Sequence, residues 1–275
     1  MQKKRSLSRI MVIAVLVGAW AFPLSVLSTE AYATTTVGGG EDENPEDANE
    51  NNIDEGNGTS GEAGFERTQY TSSFRPQDCN FTSVGRNPFF VLEPNYQLVL
   101  SGEDDDGEPA QITVTVLNET RQVNGTETRV VEERETTNGE LSEISRNFFA
   151  ICRETNSVFY FGEEVDNYEN GNIAGHEGVW IAGDGANKAG MIMPGTILLG
   201  ARYYQEIAPS VAMDRAEIIN MGEQIQTPSG VFTDTLTTRE TSPLEADVSE
   251  QKYYAAGIGL IQEETLKLEQ YGLIK

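Results

Sequence analysis

Short apolar runs separated by turn residues recur from about residue 75 to the end of the chain. Residues 112–116 alternate Ile, Val and Val with Thr, which gives the two-residue period and β-branched composition of a β-strand. Further runs follow at intervals of about 8–12 residues, a spacing typical of antiparallel barrels and sandwiches. Residues 263–270 have a composition compatible with a helix, but Leu266 and Leu268 fit a strand equally well.

Asparagine-glycine pairs mark the turns between several of these runs. They lie at 124–125, 138–139 and 170–171, and a Pro-Ser-Gly turn lies at 228–230. Asn-Gly between strand-like runs is the strongest local signal for a hairpin, because both residues tolerate a positive φ. The sequence therefore predicts an all-β fold with one curved antiparallel sheet or open barrel of roughly 10–12 strands. A two-sheet sandwich is the alternative.

The first 33 residues have the order of a secretory signal peptide. Four basic residues within the first nine precede an uncharged, mostly apolar stretch at 10–27, and Ala31-Tyr32-Ala33 offers a small-x-small cleavage site. We therefore expect cleavage after Ala33, export to the extracellular or cell-envelope space, and no stable membrane insertion of the mature chain. The alternative is an uncleaved N-terminal membrane anchor with the rest of the chain outside.

An acidic segment follows this leader. Residues 41–55 hold eight Asp or Glu and no Lys or Arg, and apolar residues are sparse up to residue 64. Such a composition cannot bury enough apolar surface to offset the entropy lost when the backbone is ordered. We expect a disordered acidic linker at 34–74 and one β-rich domain at 75–275, which is long enough to enclose a substantial core.

Charge and composition exclude several classes of function. The chain has 19 Lys and Arg against 44 Asp and Glu, a net charge of −25, and removal of the leader with its four basic residues and one acidic residue leaves −28. This charge argues against a nucleic-acid partner, because phosphates are neutralised by Lys and Arg. The single histidine excludes a multi-histidine metal site. No motif predicts a metal or a cofactor, and the sequence does not identify a protein partner.

Cys79 and Cys152 are the two cysteines of the chain. In an exported protein an even number of cysteines permits a disulfide. The bond would close a loop of 73 residues, which stabilises by roughly 4 kcal/mol on the chain-entropy model. Two independent buried thiols are the alternative.

Sequence signals for catalysis are weak. There is no Gly-x-Ser-x-Gly nucleophile motif, and the lone His176 is expected in an exposed loop. Asp214 with Glu217 and Glu163 with Glu164 are tempting carboxylate pairs, but on a strand the members of each pair face opposite sides. Because acids are so numerous, a hydrolase that uses two carboxylates stays an alternative.

Aromatic doublets recur along the predicted strands. Neighbouring residues on a strand point to opposite faces, so one ring enters the core and the other needs a second apolar layer or a cavity. If the curved sheet encloses a hollow, Trp180, Tyr203 or Tyr204, and Tyr253 or Tyr254 are expected to line it. The net charge favours a neutral or cationic apolar or amphiphilic ligand over an anionic one. Packing between two sheets is the alternative.

Four Asn-x-Ser/Thr sequences occur, at Asn57, Asn80, Asn118 and Asn124. Their number is close to that expected by chance, so the sequence leaves glycosylation open.

Several short motifs resemble a group of uncharacterised exported prokaryotic β-rich proteins. They are Tyr-Phe-Gly-Glu at 160–163, Tyr-Glu-Asn-Gly at 168–171, Glu-Gly-Val-Trp at 177–180, Met-Ile-Met-Pro at 191–194 and the ten residues at 252–261. The resemblance covers roughly residues 87–264. The last motif is similar to the closing hairpin of exported proteins with a curved antiparallel sheet, some of which resemble lipoprotein carriers. The resemblance implies export and a β fold, and it carries no known activity or catalytic residues.

These observations together predict an exported, non-enzymatic protein that binds a small apolar or amphiphilic ligand in the hollow of its sheet. The alternatives are a structural or scaffolding surface protein without a ligand and a carboxylate-dependent hydrolase.

Overall fold

The structure is a computed structural model that describes residues 69–104 and 106–275. The predicted signal peptide at 1–33, most of the predicted acidic linker and Asn57 lie outside the described residues. Within the described residues the chain forms twenty β-strands and a 3-10 turn at Pro76–Asp78, and no α-helix.

The strands, numbered in chain order, are β1 (Phe81–Thr82), β2 (Gly85–Asn87), β3 (Phe90–Leu92), β4 (Tyr96–Glu103), β5 (Pro109–Val123), β6 (Thr126–Thr137), β7 (Glu140–Cys152), β8 (Val158–Glu169), β9 (Asn172–Gly175), β10 (Trp180–Ile181), β11 (Lys188–Met193), β12 (Arg202–Tyr204), β13 (Glu206–Ile207), β14 (Arg215–Met221), β15 (Ile225–Thr227), β16 (Gly230–Phe232), β17 (Thr235–Ser242), β18 (Glu245–Ala255), β19 (Gly259–Glu263) and β20 (Leu266–Leu273). The ambiguous stretch at 263–270 is therefore the end of one strand and the start of the next.

Sixteen of these strands form one antiparallel sheet, which confirms the predicted all-β class and single curved sheet. Its main path runs β12-β14-β17-β18-β19-β20-β4-β5-β6-β7-β8-β11-β13, and β1, β9 and β10 add to β7 or β8. Eleven of the sixteen strands have five or more residues, within the predicted range of strand number. The other five are short pieces of two to four residues.

The two ends of the strand order meet in a single stretch of chain. Strand β12 pairs with β14 and strand β13 pairs with β11, and only Gln205 separates β12 from β13. One continuous segment therefore joins both edges, and the sheet is nearly closed into a barrel. The backbones of β11 and of this segment approach each other closely, because a side chain on Gly190 would overlap the backbone carbonyl of Gln205. Glycine is the residue that fits there.

Asn-Gly turns connect the long hairpins, as the sequence predicts. Both residues have positive φ at 124–125 between β5 and β6, at 138–139 between β6 and β7, and at 170–171 between β8 and β9. This is the type I′ geometry, whose twist matches that of the two strands it joins.

The predicted disulfide is present and ties the start of the sheet to the end of β7. Cys79 and Cys152 are bonded, with Cα atoms 5.1 Å apart, and strand β1 pairs with the last two residues of β7. The contacts with the sheet begin earlier than residue 75. The backbone NH of Thr71 donates to the carbonyl of Arg202, and the carbonyl of Thr71 accepts from Tyr204, both at 2.9 Å.

Alternation along the strands decides what the barrel encloses. On β6, Val131, Glu133 and Glu135 are buried, whereas Arg134 is exposed. The same period on other strands buries Leu98 and Leu100 of β4, Leu236 of β17 and Tyr254 of β18. The interior therefore contains both a large apolar core and a set of buried charged side chains.

Candidate functional site

An apolar cavity of about 60 Å³ lies inside the barrel. It is bounded by β3–β6 on one side and by β11, β18 and β19 on the other. The lining residues are Phe90, Val91, Tyr96, Leu98, Val114, Val116, Val131, Glu133, Ile192, Lys252, Tyr254, Ile258, Gly259 and Leu260. Pockets that enclose drug-sized ligands have about 300–1,000 Å³, so this cavity suits a small molecule or one end of a larger one.

Two charged residues, Glu133 and Lys252, form the polar part of this lining. Glu133 is 5% exposed, and its Oε2 has no hydrogen-bond partner in the protein. Burial raises the pKa of Glu133 to about 8, although Lys252 acts in the opposite direction. A buried acceptor without a partner costs about 1–3 kcal/mol, so an occupant that satisfies Oε2 is favoured.

Lys252 is held between two carboxylates. Its Nζ lies 3.0 Å from Oε2 of Glu240 and 3.2 Å from Oε1 of Glu263, and Lys252 is 3% exposed. Glu263 is the direct cross-strand partner of Lys252. Burial alone would lower the pKa of Lys252, but Glu240 and Glu263 outweigh it and hold that pKa well above the ordinary value. An ammonium carries three N–H donors, so one donor is left beyond these two pairs.

The turn between β18 and β19 forms one edge of the cavity. The NH of Gly257 donates to the carbonyl of Pro88 at 2.6 Å, and the hydroxyl of Tyr96 donates to the carbonyl of Ile258 at 3.0 Å. Phe90, Ile258 and Leu260 are only half-buried, so the cavity wall is partly exposed at this edge. Five lining residues belong to the motif at 252–261 that the sequence analysis singled out.

Lys252 also lines a second, acidic pocket of about 20 Å³. The other lining residues are Asp214, Glu240, Thr241, Ser242, Glu245, Val248 and Glu250. Burial is the main cause of the raised pKa of Glu250, about 8, and of Glu263, about 7. Carboxyl groups are thus packed around one ammonium, and several of them are protonated at neutral pH.

A carboxyl pair adjoins this acidic pocket. The backbone NH of Asp214 donates to Oε1 of Glu206 at 3.1 Å. Burial raises the pKa of both carboxyls, and the charge of Asp214 raises the pKa of Glu206 further, whereas a hydrogen bond with Glu206 acts to lower the pKa of Asp214. Glu206 is 1% exposed. The two carboxyls therefore lie close together in an enclosed position.

Of the five aromatic residues predicted to line a hollow, Tyr254 lies in the cavity wall. Trp180 packs edge-on against Tyr160, with ring centroids 5.0 Å apart, and is 2% exposed. Tyr203 is also buried, at 4% exposure. The ring of Tyr204 packs on Tyr70, and the hydroxyl of Tyr253 donates to Oε1 of Gln251. The structure does not bring these other four residues to the cavity.

The acids considered in the sequence occupy separate environments. Glu163 is fully buried, whereas Glu164 is exposed and forms an ion pair with Arg121. Asp214 contacts Glu206, whereas Glu217 forms ion pairs with Arg202 and Arg239.

His176 lies near the end of β8. Its side chain is 63% exposed, and its Nδ1 lies 2.9 Å from Oδ1 of Asp166. Over the part of the chain that the structure describes, one group of three residues has metal-ligand spacing: Cys79, Cys152 and Glu154. Its two sulfur atoms form the disulfide, so they are not available as thiolate ligands.

Sequence reasoning missed Glu133 and Lys252, although a signal for both was present. Lys252 has the same strand parity as Tyr254, and Glu133 has the same parity as Val131. A charged residue in phase with the inward apolar residues of a strand is expected to face the interior.

Comparison with known proteins gives one distant structural likeness. No family model matches the chain, and no curated protein matches it. A solved structure from Bacteroides fragilis, described as that of an exported protein with a YmcC-like fold, aligns with a TM-score of 0.34 at 14% identity. The alignment covers 68% of this chain and 100% of that chain. Such a score carries no conclusion about function. No helix among the described residues is long and apolar enough to span a membrane.

Proposed function

We propose that this chain is an exported, non-enzymatic protein that binds a small apolar or amphiphilic ligand, neutral or cationic, inside its barrel. The observation that carries the proposal is the apolar cavity that includes Glu133, whose Oε2 has no partner. A cavity of this kind combines the two features of a small-molecule site, which are an apolar wall and a few convergent polar groups. The signal-peptide pattern at 1–33 supports export.

Charge supports the choice of ligand class. The predicted mature chain has a charge of −28, from the −25 of the full chain less its leader, and the polar groups near the cavity are mostly carboxyls. An anionic ligand would be repelled by this charge at long range. A neutral molecule is not repelled, and a cationic one is attracted at long range.

The carboxyl pair of Glu206 and Asp214 supports a hydrolase less well. A general acid and a nucleophile must contact the scissile bond, and Glu206 is enclosed by the protein. The apolar cavity is also lined by other residues than this pair.

Calorimetric titration with toluene, a neutral single-ring molecule, tests the proposal directly. We expect saturable binding and a higher melting temperature, because a ligand that binds only the native state stabilises it. Native mass spectrometry of protein purified from its host would detect a co-purified ligand. If toluene does not bind and no molecule co-purifies with the protein, the proposal is overturned.

A pair of substitutions locates the binding. Val116→Phe fills the cavity and should abolish toluene binding. Val123→Phe makes the same change on β5 at a residue that is equally buried but outside the lining, and it should leave binding intact. Circular dichroism confirms that both variants fold. Equal loss in the two variants would contradict this location.

A further inference from the structure

The cavity wall includes one acceptor without a partner and one ammonium with a donor beyond its two ion pairs. Oε2 of Glu133 has no hydrogen-bond partner, and the ammonium of Lys252 has one N–H beyond its pairs with Glu240 and Glu263. Both residues line the same cavity, and the remaining walls are apolar apart from the hydroxyls of Tyr96 and Tyr254. The hydroxyl of Tyr96 is engaged with the carbonyl of Ile258.

We propose that the ligand is a neutral alcohol whose hydroxyl donates to Oε2 of Glu133 and accepts from Nζ of Lys252. This inference rests on the proposed function and names the polar group of its ligand. A hydroxyl has one donor and acceptor lone pairs, so it satisfies both protein groups and leaves no polar atom of its own without a partner.

Other head groups fit this pair of sites less well. A carboxylate accepts from Lys252 but has no N–H or O–H to donate to Oε2 of Glu133. An alkylammonium donates to Glu133, but it lies beside the charge of Lys252 and brings three donors for one free acceptor. A primary amide satisfies both sites and leaves its second N–H unpaired in an apolar wall. Each mismatch buries an unpaired or repelled group, which is costly.

Molecules of equal chain length test the head group alone. We would titrate the protein with 1-hexanol, hexanamide, hexylamine and hexanoate by calorimetry, with toluene as the apolar reference. The expected Kd for 1-hexanol is at least about tenfold lower than for each of the other three, the ratio that one mismatched hydrogen-bonding group gives.

Substitution of Glu133 assigns the preference to a residue. Glu133→Leu should lower the affinity for 1-hexanol about tenfold relative to that for toluene, while Glu133→Gln, which keeps an acceptor, should retain most of the 1-hexanol affinity. Glu135→Leu removes a buried carboxyl from the same strand outside the cavity lining, and it should bind 1-hexanol like the unmodified protein.

The outcomes separate the two proposals. Toluene binding with a Kd for the amide, amine or carboxylate equal to or below that of 1-hexanol overturns the alcohol assignment and leaves the binding function in place. An unchanged 1-hexanol affinity in Glu133→Leu also overturns the assignment. Absence of binding by toluene and by every hexyl compound contradicts the binding function itself.

Discussion

The two regions of the barrel interior follow the same strand alternation and differ in what holds them together. The apolar cavity wall, typified by Leu98, Val116 and Val131, is stabilised by burial of hydrocarbon, which needs only shape complementarity. The acidic region around Glu240 and Glu263 needs partners, because a buried charge without one is costly. The difference shows that the interior of this barrel contains a specific arrangement of polar groups as well as an apolar core.

Buried cations among the described residues are too few to balance the acidic region. They are Lys252 and Arg129, and the guanidinium of Arg129 donates to the backbone carbonyls of Ser83, Leu117 and Glu119 instead. Lys252 is therefore the main counter-charge for the buried acidic residues. Protonation neutralises the rest, as the raised pKa values of Glu133 and Glu250 indicate.

Removal of Lys252 should break the acidic region and give the largest effect. At pH 8 we expect Lys252→Met to lower the free energy of unfolding by about 5 kcal/mol, because it leaves buried carboxylates without their counter-charge. The matched control is Lys267→Met, at an exposed position of β20, which should change it by less than about 0.5 kcal/mol. Urea denaturation measures both. Similar small effects in the two variants would contradict the dependence on Lys252.

Loss of the disulfide should lower stability without affecting either region of the barrel interior. Because Cys79 and Cys152 constrain the unfolded chain, Cys79→Ser with Cys152→Ser should lower the free energy of unfolding by about 4 kcal/mol. Neither cysteine lines the apolar cavity, so toluene and 1-hexanol affinities should persist in the folded variant. Calorimetric unfolding gives the first quantity and titration the second. Free thiols in the unreduced, unfolded protein would refute the bond.

The buried carboxyls should also make stability depend on pH, with a smaller effect per pH unit than the loss of Lys252 or of the disulfide. Glu133, Glu250 and Glu263 have native pKa values of about 8, 8 and 7, above the ordinary 4.5 of the unfolded chain. Between these limits the native state binds more protons, so this stability is complete below about pH 4.5 and falls as the pH rises to about 8. One proton of difference changes stability by about 1.4 kcal/mol per pH unit.

The ion pairs of Glu217, on the outer face of the sheet, should make stability change with pH in the opposite direction. Burial would raise the pKa of Glu217, but Arg202 and Arg239 outweigh it and lower that pKa, so its contribution is lost as the pH falls below about 4.5. Melting temperatures from pH 3 to pH 9 should therefore peak under mildly acidic conditions, and Glu133→Gln should flatten the alkaline side. A melting temperature that rises steadily from pH 5 to pH 8 would contradict this account.

Much of the fold could be predicted because its signals are local. The period of residues 112–116 and the Asn-Gly turns at 124–125, 138–139 and 170–171 depend on neighbouring residues alone. The pairing of Cys79 with Cys152 followed from the cysteine count and the expected compartment. Closure of the sheet through residues 202–207 could not be predicted, because it also requires β20 to pair with β4, which lies more than a hundred residues earlier in the chain.

The candidate site shows the same limit. Alternation in the sequence determines that Glu133, Lys252 and Tyr254 face one side of their strands, and the motif at 252–261 marks the relevant hairpin. Only the tertiary structure decided that β6 and β18 meet across one cavity, that Tyr203 and Trp180 pack elsewhere, and that Glu263 and Glu240 hold Lys252. The physical reason is that strand period fixes the direction of a side chain, whereas its neighbours and its charge state depend on sheet curvature, register and burial.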